Sequence, residues 1–360
     1  MSRIRCAVWM IAALLIGASS ARGVPRLRLT VREGDTLRRY HLERARWRLD
    51  RSLDLAAYPT KRMRYFRKMV RGPRGTVIVA TDAQLLEVDA SFTLRVRFRA
   101  PSGVTIGAFA RFGSNWLVAL GGRLLVLDRS FHEIAALRLL KSDHKSAHAL
   151  LVNGTVAYVL DNIYQPIWAF RVGLANPRKP TVLQTIDFSG VNVHLSAQLV
   201  LRKRQLWTIV RDQSVLSGMS QQLFHYDLAT TGAPRIGTQT LFSYSRRFRK
   251  LLRADWNRRL LALTPFGRLA LIVTYGSGTV ELARPTRVTN ELRFVKLGTI
   301  EKLSARWYSQ ALLSLDGRWA ALYLEKTLMI WDLAKPDAPT LVSRTPWPAA
   351  TLDLLLEKGR

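Results

Sequence analysis

Short runs of apolar and β-branched residues follow one another along most of the chain, and glycine, asparagine, aspartate or proline separates them. Examples are GTVIVATD, NWLVALG, TVAYVL, QLWTIV and LALIVTY. Runs of this length between turn-forming residues predict β-strands. No long window shows the period of an amphipathic helix, so the chain is predicted to be all-β.

The predicted strands repeat as six hairpins, each made of a strand, a tight turn and a more apolar strand. The turns lie near Gly72–Gly75, Gly113, Gly154, Lys203, Gly267 and Gly317. A third strand with an acidic or polar end follows most hairpins, as in LLEVD, LLVLD, LFHYDL and LMIWDL. A proline-bearing turn then precedes a fourth strand at 176–188, 231–242 and 335–347. Proline belongs at turns and sheet edges, and four strands per repeat predict the blades of a β-propeller.

The two ends of the chain complete each other. TLDLLLEKGR (351–360) has the pattern of a first strand, and RLRLTV, TLRRYHLE and RARWRLD have the pattern of the three strands that should follow it. Six internal blades and one blade built from both termini predict a seven-bladed ring, closed without exposed sheet edges. A six-bladed ring with an N-terminal extension is the alternative. In both cases residues 21–360 form a single domain.

Two stretches carry a family resemblance. SLDGRWAALYLEKTLMIWDLAKPDAPTLV (314–342) and TVAYVLDNIYQPIWAFRVGLANPRKPTVLQTIDF (155–188) resemble blades of bacterial WD-repeat-like and LVIVD-type propellers. The resemblance implies the propeller fold and a binding or scaffolding role, but no activity, because propellers carry many functions. The other blades match loosely, and the Trp-Asp dipeptide occurs only at Trp331-Asp332.

The N-terminus has the pattern of a signal peptide. Arg3 and Arg5 precede the apolar run CAVWMIAALLIGA, and small residues follow it. The run is shorter than the roughly 20 residues of a membrane span, although an uncleaved anchor is the alternative. Residues 1–20 are therefore predicted to direct the protein to the periplasm or out of the cell. The sole cysteine, Cys6, lies in this segment, so the mature chain is expected to have no disulfide and no cysteine-based site.

Charge is the main global property. The chain has 56 Lys and Arg against 25 Asp and Glu, a formal net charge of +31. Such a charge favours binding to polyanions, although arginines scattered by codon usage would give the same total.

Two basic clusters are candidate binding sites for an anionic partner. In KRMRYFRKMVRGPRG, Arg64, Arg67, Lys68 and Arg71 lie on the predicted first strand of blade one, which lines the central channel.

SYSRRFRKLLR falls in the insertion between blades four and five, where a loop or an extra strand is expected. Its basic and aromatic side chains could hold phosphates and stack on bases or sugars, or the segment is a solvated loop. The candidate residues here are Tyr244, Arg246, Arg247, Phe248, Arg249 and Lys250. A third basic region, 26–49, alternates Arg with apolar residues and predicts a half-exposed outer sheet.

Catalytic motifs do not appear: there is no G-x-S-x-G, Walker loop, G-x-G-x-x-G or H-E-x-x-H. His144 and His148 have metal-ligand spacing with Asp143 nearby, but they lie in a predicted loop. Strand tryptophans are expected to pack between blades. We therefore assign no catalytic residue, no metal and no cofactor from the sequence.

These patterns together predict a non-catalytic binding or scaffolding propeller of the bacterial cell envelope. Its basic channel mouth and loops would recognise an anionic partner: an envelope protein, a glycan or lipid surface, or, with less support, nucleic acid. The alternative is a propeller enzyme, lactonase-like or an oxidoreductase, with its site in the channel. That reading requires carboxylates or histidines to converge there, and Asp82, Asp161, Asp212 and Asp255 are the acids placed near suitable strand ends.

Overall fold

The computed structural model consists almost entirely of β-strands. It describes residues 27–33, 36–43, 46–58, 69–140, 149–160, 168–187, 196–212, 219–245, 250–251, 258–264, 266–274, 279–288, 291–302, 310–314, 316–324, 327–347 and 353–358. In this part of the chain, no helix is long and apolar enough to cross a membrane.

The strands follow the predicted hairpin repeat. The first three are β1 (Leu27–Glu33), β2 (Thr36–Glu43) and β3 (Arg46–Asp54). Blade one contains β4 (Met69–Arg71), β5 (Val77–Ala80), β6 (Gln84–Val88) and β7 (Leu94–Arg99). Blade two contains β8 (Ile106–Phe112), β9 (Asn115–Leu120), β10 (Arg123–Leu127) and β11 (Glu133–Arg138). Blade three contains β12 (Ala149–Asn153), β13 (Val156–Leu160), β14 (Trp168–Gly173) and β15 (Thr181–Asp187).

Blade four has one strand more than the others. It contains β16 (Ser196–Arg202), β17 (Gln205–Asp212), β18 (Met219–Asp227), β19 (Arg235–Ser245) and the short β20 (Lys250–Leu251). Blade five contains β21 (Arg258–Leu263), β22 (Ala270–Thr274), β23 (Thr279–Val288) and β24 (Glu291–Lys302). Blade six contains β25 (Gln310–Leu313), β26 (Trp319–Leu324), β27 (Thr327–Asp332) and β28 (Thr340–Pro346).

The last strand, β29 (Asp353–Lys358), closes the ring. It pairs antiparallel with β1, which gives blade seven the strand order β29-β1-β2-β3. The first strands of blades are neighbours around the centre: β8 lies beside β12, β12 beside β16, β21 beside β25, and β29 beside β4. The seven-bladed, all-β prediction and the closure through both termini are confirmed, and the six-bladed alternative is wrong.

The hydrophobic core is divided among the seven blade interfaces. Each buried apolar cluster combines residues of two adjacent blades. Together the clusters cover all seven interfaces of the ring, including the one between blades seven and one. The second strands are buried on both faces, as in Val77–Ala80, because each lies between two neighbouring sheets. This explains why those strands read as continuous apolar runs rather than as alternating patterns.

The fourth strand of every blade contains at least one β-bulge against the third strand. Single extra residues occur in five of these strands: Asp50, Arg97, Ile134, Leu183 and Val342. Two bulges occur in each of β19 and β24. Bulges twist an edge strand and interrupt its hydrogen-bonding ladder. The repeated bulge therefore protects the outer edges of the blades from pairing with another sheet.

One expectation about the N-terminal strands was wrong. The half-exposed pattern predicted for 26–49 holds for β2 and β3, but β1 is buried on both faces. Arg32 is completely buried, and its Nη1 donates a hydrogen bond of 2.9 Å to the carbonyl oxygen of Ala80 in blade one. A second strand has a blade on either side of it, so alternation along β1 does not lead to solvent.

Candidate functional site

All turns that join the first and second strands of a blade lie on one end of the ring, because the strands alternate in direction. The first strands are innermost, so these turns surround one mouth of the central channel. We call this end the turn face and the six turns of blades one to six the rim. The rim consists of residues 72–76, 113–114, 154–155, 203–204, 264–268 and 314–318, of which 265 and 315 lie outside the described residues.

Each rim turn has a residue in the left-handed region of backbone conformation. Glycine holds this position in several turns, with φ of 57° at Gly113, 60° at Gly267 and 74° at Gly317. In two turns a basic residue adopts it instead: Arg74 has φ of 55° and Lys203 has φ of 53°. The six predicted turn positions are therefore confirmed.

Exposed basic side chains occur in, or within two residues of, the turns of five of the six blades. They are Arg74 in blade one, Arg111 in blade two, Lys203 and Arg204 in blade four, Arg268 in blade five and Arg318 in blade six. In blade three, Asn153 and Gly154 occupy the turn. Because the turns surround one axis, the ring brings together cations that are far apart in the chain. This basic rim is the candidate binding site.

The rim cations differ in how far the protein itself neutralises them. Arg318 forms an ion pair with Asp332, Nη2 to Oδ2 at 3.3 Å, and Arg111 donates from Nε to the carbonyl oxygen of Gly113 at 3.0 Å. By contrast, four rim cations form no ion pair with any described residue: Arg74, Lys203, Arg204 and Arg268. Three of these four cations lie at blades four and five, so most of the charge available to a partner is found there.

Two carboxylates on the turn face, Asp89 and Asp128, are held by their own loops. Asp89 accepts hydrogen bonds from the Ser91 hydroxyl and the Thr93 backbone N–H, and the Ser91 contact lowers the pKa of Asp89 below its ordinary value. Asp128 accepts from the backbone N–H of His132, which lowers the pKa of this carboxyl. Hydrogen bonding to the ionised form has this effect. These acids sit in the loops between third and fourth strands, farther from the axis than the rim.

The cluster predicted on blade one is divided by the structure. Arg64, Arg67 and Lys68 lie outside the described residues. Arg71 is exposed at the end of β4, directly before the rim turn, so it lies on the turn face. It has a partner in the structure.

The cluster predicted between blades four and five lies at the other end of the ring. Tyr244 pairs with Leu251, and Ser245 with Lys250, so the predicted extra strand exists as β20. Fourth strands end opposite the turn face, which separates Tyr244 and Lys250 from Arg71. The intervening Arg246, Arg247, Phe248 and Arg249 lie outside the described residues, and their binding role stays a prediction.

The structure places some of the other residues considered in the sequence, and the rest lie outside the described residues. His225 is buried and stacks on Trp207, with ring centroids 5.5 Å apart. Trp116, Trp207, Trp319 and Trp331 are buried in strands, and Trp168 is partly buried against the cluster between blades two and three, as expected for packing between blades. Of the four acids considered for a channel site, Asp82 lies at a turn between second and third strands, and Asp212 ends β17. The remaining candidates, Asp143, His144, His148, Asp161 and Asp255, lie outside the described residues.

Within the described residues, no group of histidines, cysteines and carboxylates has the arrangement of a metal site.

Sequence reasoning missed the rim, although the sequence contains a signal for it. A basic residue lies within two positions of the turn glycine in GPRG, ARFG, FGR and DGR, and KR itself forms the turn of blade four. None of these short stretches stands out when it is considered alone. Only the superposition of the six hairpins would have placed them at equivalent positions.

Solved structures with similar folds cover most of the chain. A proposed 6-phosphogluconolactonase from Bacteroides fragilis has a TM-score of 0.55 and 10% identity, over 94% of this chain and 99% of that one. A periplasmic gluconolactonase from Pseudomonas aeruginosa has a TM-score of 0.51 and 13% identity, over 92% and 98%. Hydrazine synthase from Kuenenia stuttgartiensis has a TM-score of 0.52 and 13% identity, over 84% and 97%.

At these identities the similarity shows the fold alone: the protein is a seven-bladed β-propeller. No protein-family model and no curated protein sequence matches the chain. The WD-repeat-like or LVIVD repeat type therefore stays a prediction.

Proposed function

We propose that this protein is a non-catalytic binding or scaffolding propeller of the bacterial cell envelope, which holds an anionic partner on its basic rim. The observation that carries the proposal is the arrangement of exposed cations around one mouth of the channel, at the turns of five blades. The signal-like N-terminus supports a periplasmic or secreted location.

The rim is suited to recognition because its positions are rigid. Each turn is a short connection between two paired strands, and apolar clusters join each blade to its neighbours. The backbone of each turn is already ordered before a partner binds, and preorganisation of this kind favours affinity. Their summed field also attracts an anionic partner before contact.

The experiment measures how binding to anionic ligands varies with salt. The panel contains poly-L-glutamate, an anionic glycan, vesicles of anionic phospholipid and duplex DNA. The wild type is compared with a rim variant that combines Arg74→Gln, Arg111→Gln, Lys203→Gln and Arg268→Gln. We expect the rim variant to bind more weakly and with a flatter salt dependence. For duplex DNA the log-log slope is about −0.9 for each neutralised phosphate.

A matched variant keeps the charge change equal and alters only its position. Arg129→Gln, Arg178→Gln, Lys179→Gln and Lys335→Gln remove four exposed cations from the loops between third and fourth strands of the same face. If both variants lose affinity equally, net charge rather than the rim controls binding and the proposal fails. A variant with reversed charge at 246–250 tests the opposite face in the same assay.

A further inference from the structure

The rim turn of blade five packs against the first hairpin of blade four. A Cβ placed on Gly267 would lie 3.7 Å from Arg202 Cδ, 3.7 Å from Trp207 Cζ3 and 3.4 Å from Val200 Cγ1. The turn of blade five therefore rests on the end of the first hairpin of blade four. Four basic residues and one aromatic residue lie at this contact or next to it in the chain. We call them the four–five patch: Arg202, Lys203, Arg204, Phe266 and Arg268.

The cations of this patch are not neutralised within the described structure. Arg202 packs over the Trp207 ring, with 5.3 Å between Cζ and the ring centroid, and its Nη1 is buried without a hydrogen-bond partner among the described residues. Burial lowers the pKa of Arg202, so the surroundings favour a compensating negative charge. Asp227, which ends the third strand of blade four, accepts hydrogen bonds from the Ala229 N–H and the Thr230 hydroxyl.

Phe266 adds an apolar contact to the patch. It is 38% exposed and is the one aromatic among the large hydrophobic side chains exposed in the described residues. An exposed phenyl ring beside arginines has the composition of an interaction hot spot, where aromatic residues and arginine are enriched.

We propose that the four–five patch binds an acidic segment of a partner protein, with carboxylates on its cations and an apolar side chain against Phe266. This inference rests on the proposed function and names the class of partner. Single-stranded nucleic acid binds to successive aromatic platforms along a basic groove, whereas this patch has a single exposed ring and cations from two adjacent blades. A protein segment that alternates acidic and apolar residues complements both features.

Two labelled peptides of equal length and equal charge test the apolar contact. One alternates Glu with Leu, and the other alternates Glu with Ser. Fluorescence anisotropy with the purified protein should show tighter binding of the Glu–Leu peptide. Phe266→Ala should weaken Glu–Leu binding about tenfold, a loss within the range found when an interface side chain is truncated, and should leave Glu–Ser binding unchanged. Equal binding of both peptides by the wild type would overturn the proposal.

A pair of charge reversals tests the location. Arg204→Glu with Arg268→Glu should abolish most peptide binding, while Arg178→Glu with Lys179→Glu, the same charge change in blade three, should have little effect. Circular dichroism and thermal unfolding confirm that both variants are folded.

Equal losses in the two charge variants, or tighter binding of duplex DNA than of either peptide at the same salt, would overturn this inference. The wider proposal would survive in that case if the four-charge rim variant still lost affinity for anionic ligands. It fails separately if the rim variant and its matched control behave alike.

Discussion

The rim turns of blades five and six have nearly the same backbone. Thr264 and Ser314 occupy equivalent positions, and the side-chain oxygen of each accepts the backbone N–H five residues later, at 3.1 and 2.9 Å. Gly267 and Gly317 each donate a backbone hydrogen bond of 2.9 Å to that residue's carbonyl oxygen, and both have positive φ. The sequences of the two turns are TPFGRL and SLDGRW, which share the glycine and the arginine and differ at the other four positions.

Because of those side chains, the arginine is paired within the protein in one turn and is not paired in the other. In blade six, Arg318 pairs with Asp332 and packs over Trp319, 5.0 Å from the ring centroid. In blade five, Arg268 forms no ion pair with a described residue, and Phe266 is exposed where blade six has Asp316. The comparison shows that one turn scaffold either neutralises its arginine internally or leaves it available to a partner.

The largest effect should come from removing the glycine that both turns share. Gly267→Val and Gly317→Val place a β-branched residue at positive φ, and at Gly317 the new Cβ would lie 3.2 Å from Leu269 Cδ1. We expect each to lower the free energy of unfolding by about 1–3 kcal/mol, measured by urea denaturation. Asparagine tolerates this conformation better, so Gly→Asn at each site should cost less. Valine variants as stable as the wild type would show that the turns do not depend on glycine.

The next effect should come from exchanging the residue that distinguishes the turns. Phe266→Asp removes the ring and places an acid beside Arg268, so affinity for the Glu–Leu peptide should fall about tenfold. Adding Asp316→Phe restores the net charge of the wild type. We expect affinity to stay low in the double variant, because the acid remains in the patch. Full recovery would mean that net charge, and not the turn of blade five, determines binding.

The smallest effect should come from releasing the arginine of blade six. Asp332→Asn removes the ion pair with Arg318 but keeps an oxygen to accept the Ala334 N–H. Exposed ion pairs contribute little, so stability should fall by less than about 1 kcal/mol. Binding of poly-L-glutamate should rise about twofold because a rim cation becomes available. Unchanged binding, measured at low salt, would show that blade six does not face the ligand.

The parts of the fold that could be predicted from the sequence are those with a local cause. The turn at Lys203 and the glycine turns were predicted because a tight hairpin requires particular residues within a few positions. The pairing of β29 with β1 was predicted because each end has part of a pattern that the other completes. These signals need no knowledge of distant contacts.

The parts that could not be predicted depend on where blades lie relative to one another. Arg32 reads as an exposed position in an alternating strand, yet a neighbouring blade buries it against the Ala80 carbonyl. The bulge in every fourth strand has no residue signature, since its extra residue is Asp50 in blade seven and Leu183 in blade three. Of the predicted site residues, Arg71 and Lys250 proved to lie at opposite ends of the ring.

The sequence by itself determined the strand repeat, the turn positions, the ring closure and the excess of positive charge, because alternation, turn chemistry and composition are properties of neighbouring residues. Only the tertiary structure decided which cations form one surface. Arg74, Lys203, Arg268 and Arg318 are far apart along the chain, and the ring places their turns around one channel mouth. Whether each charge is available then depends on contacts such as that of Arg318 with Asp332, which form only when the third strand is folded beside the turn.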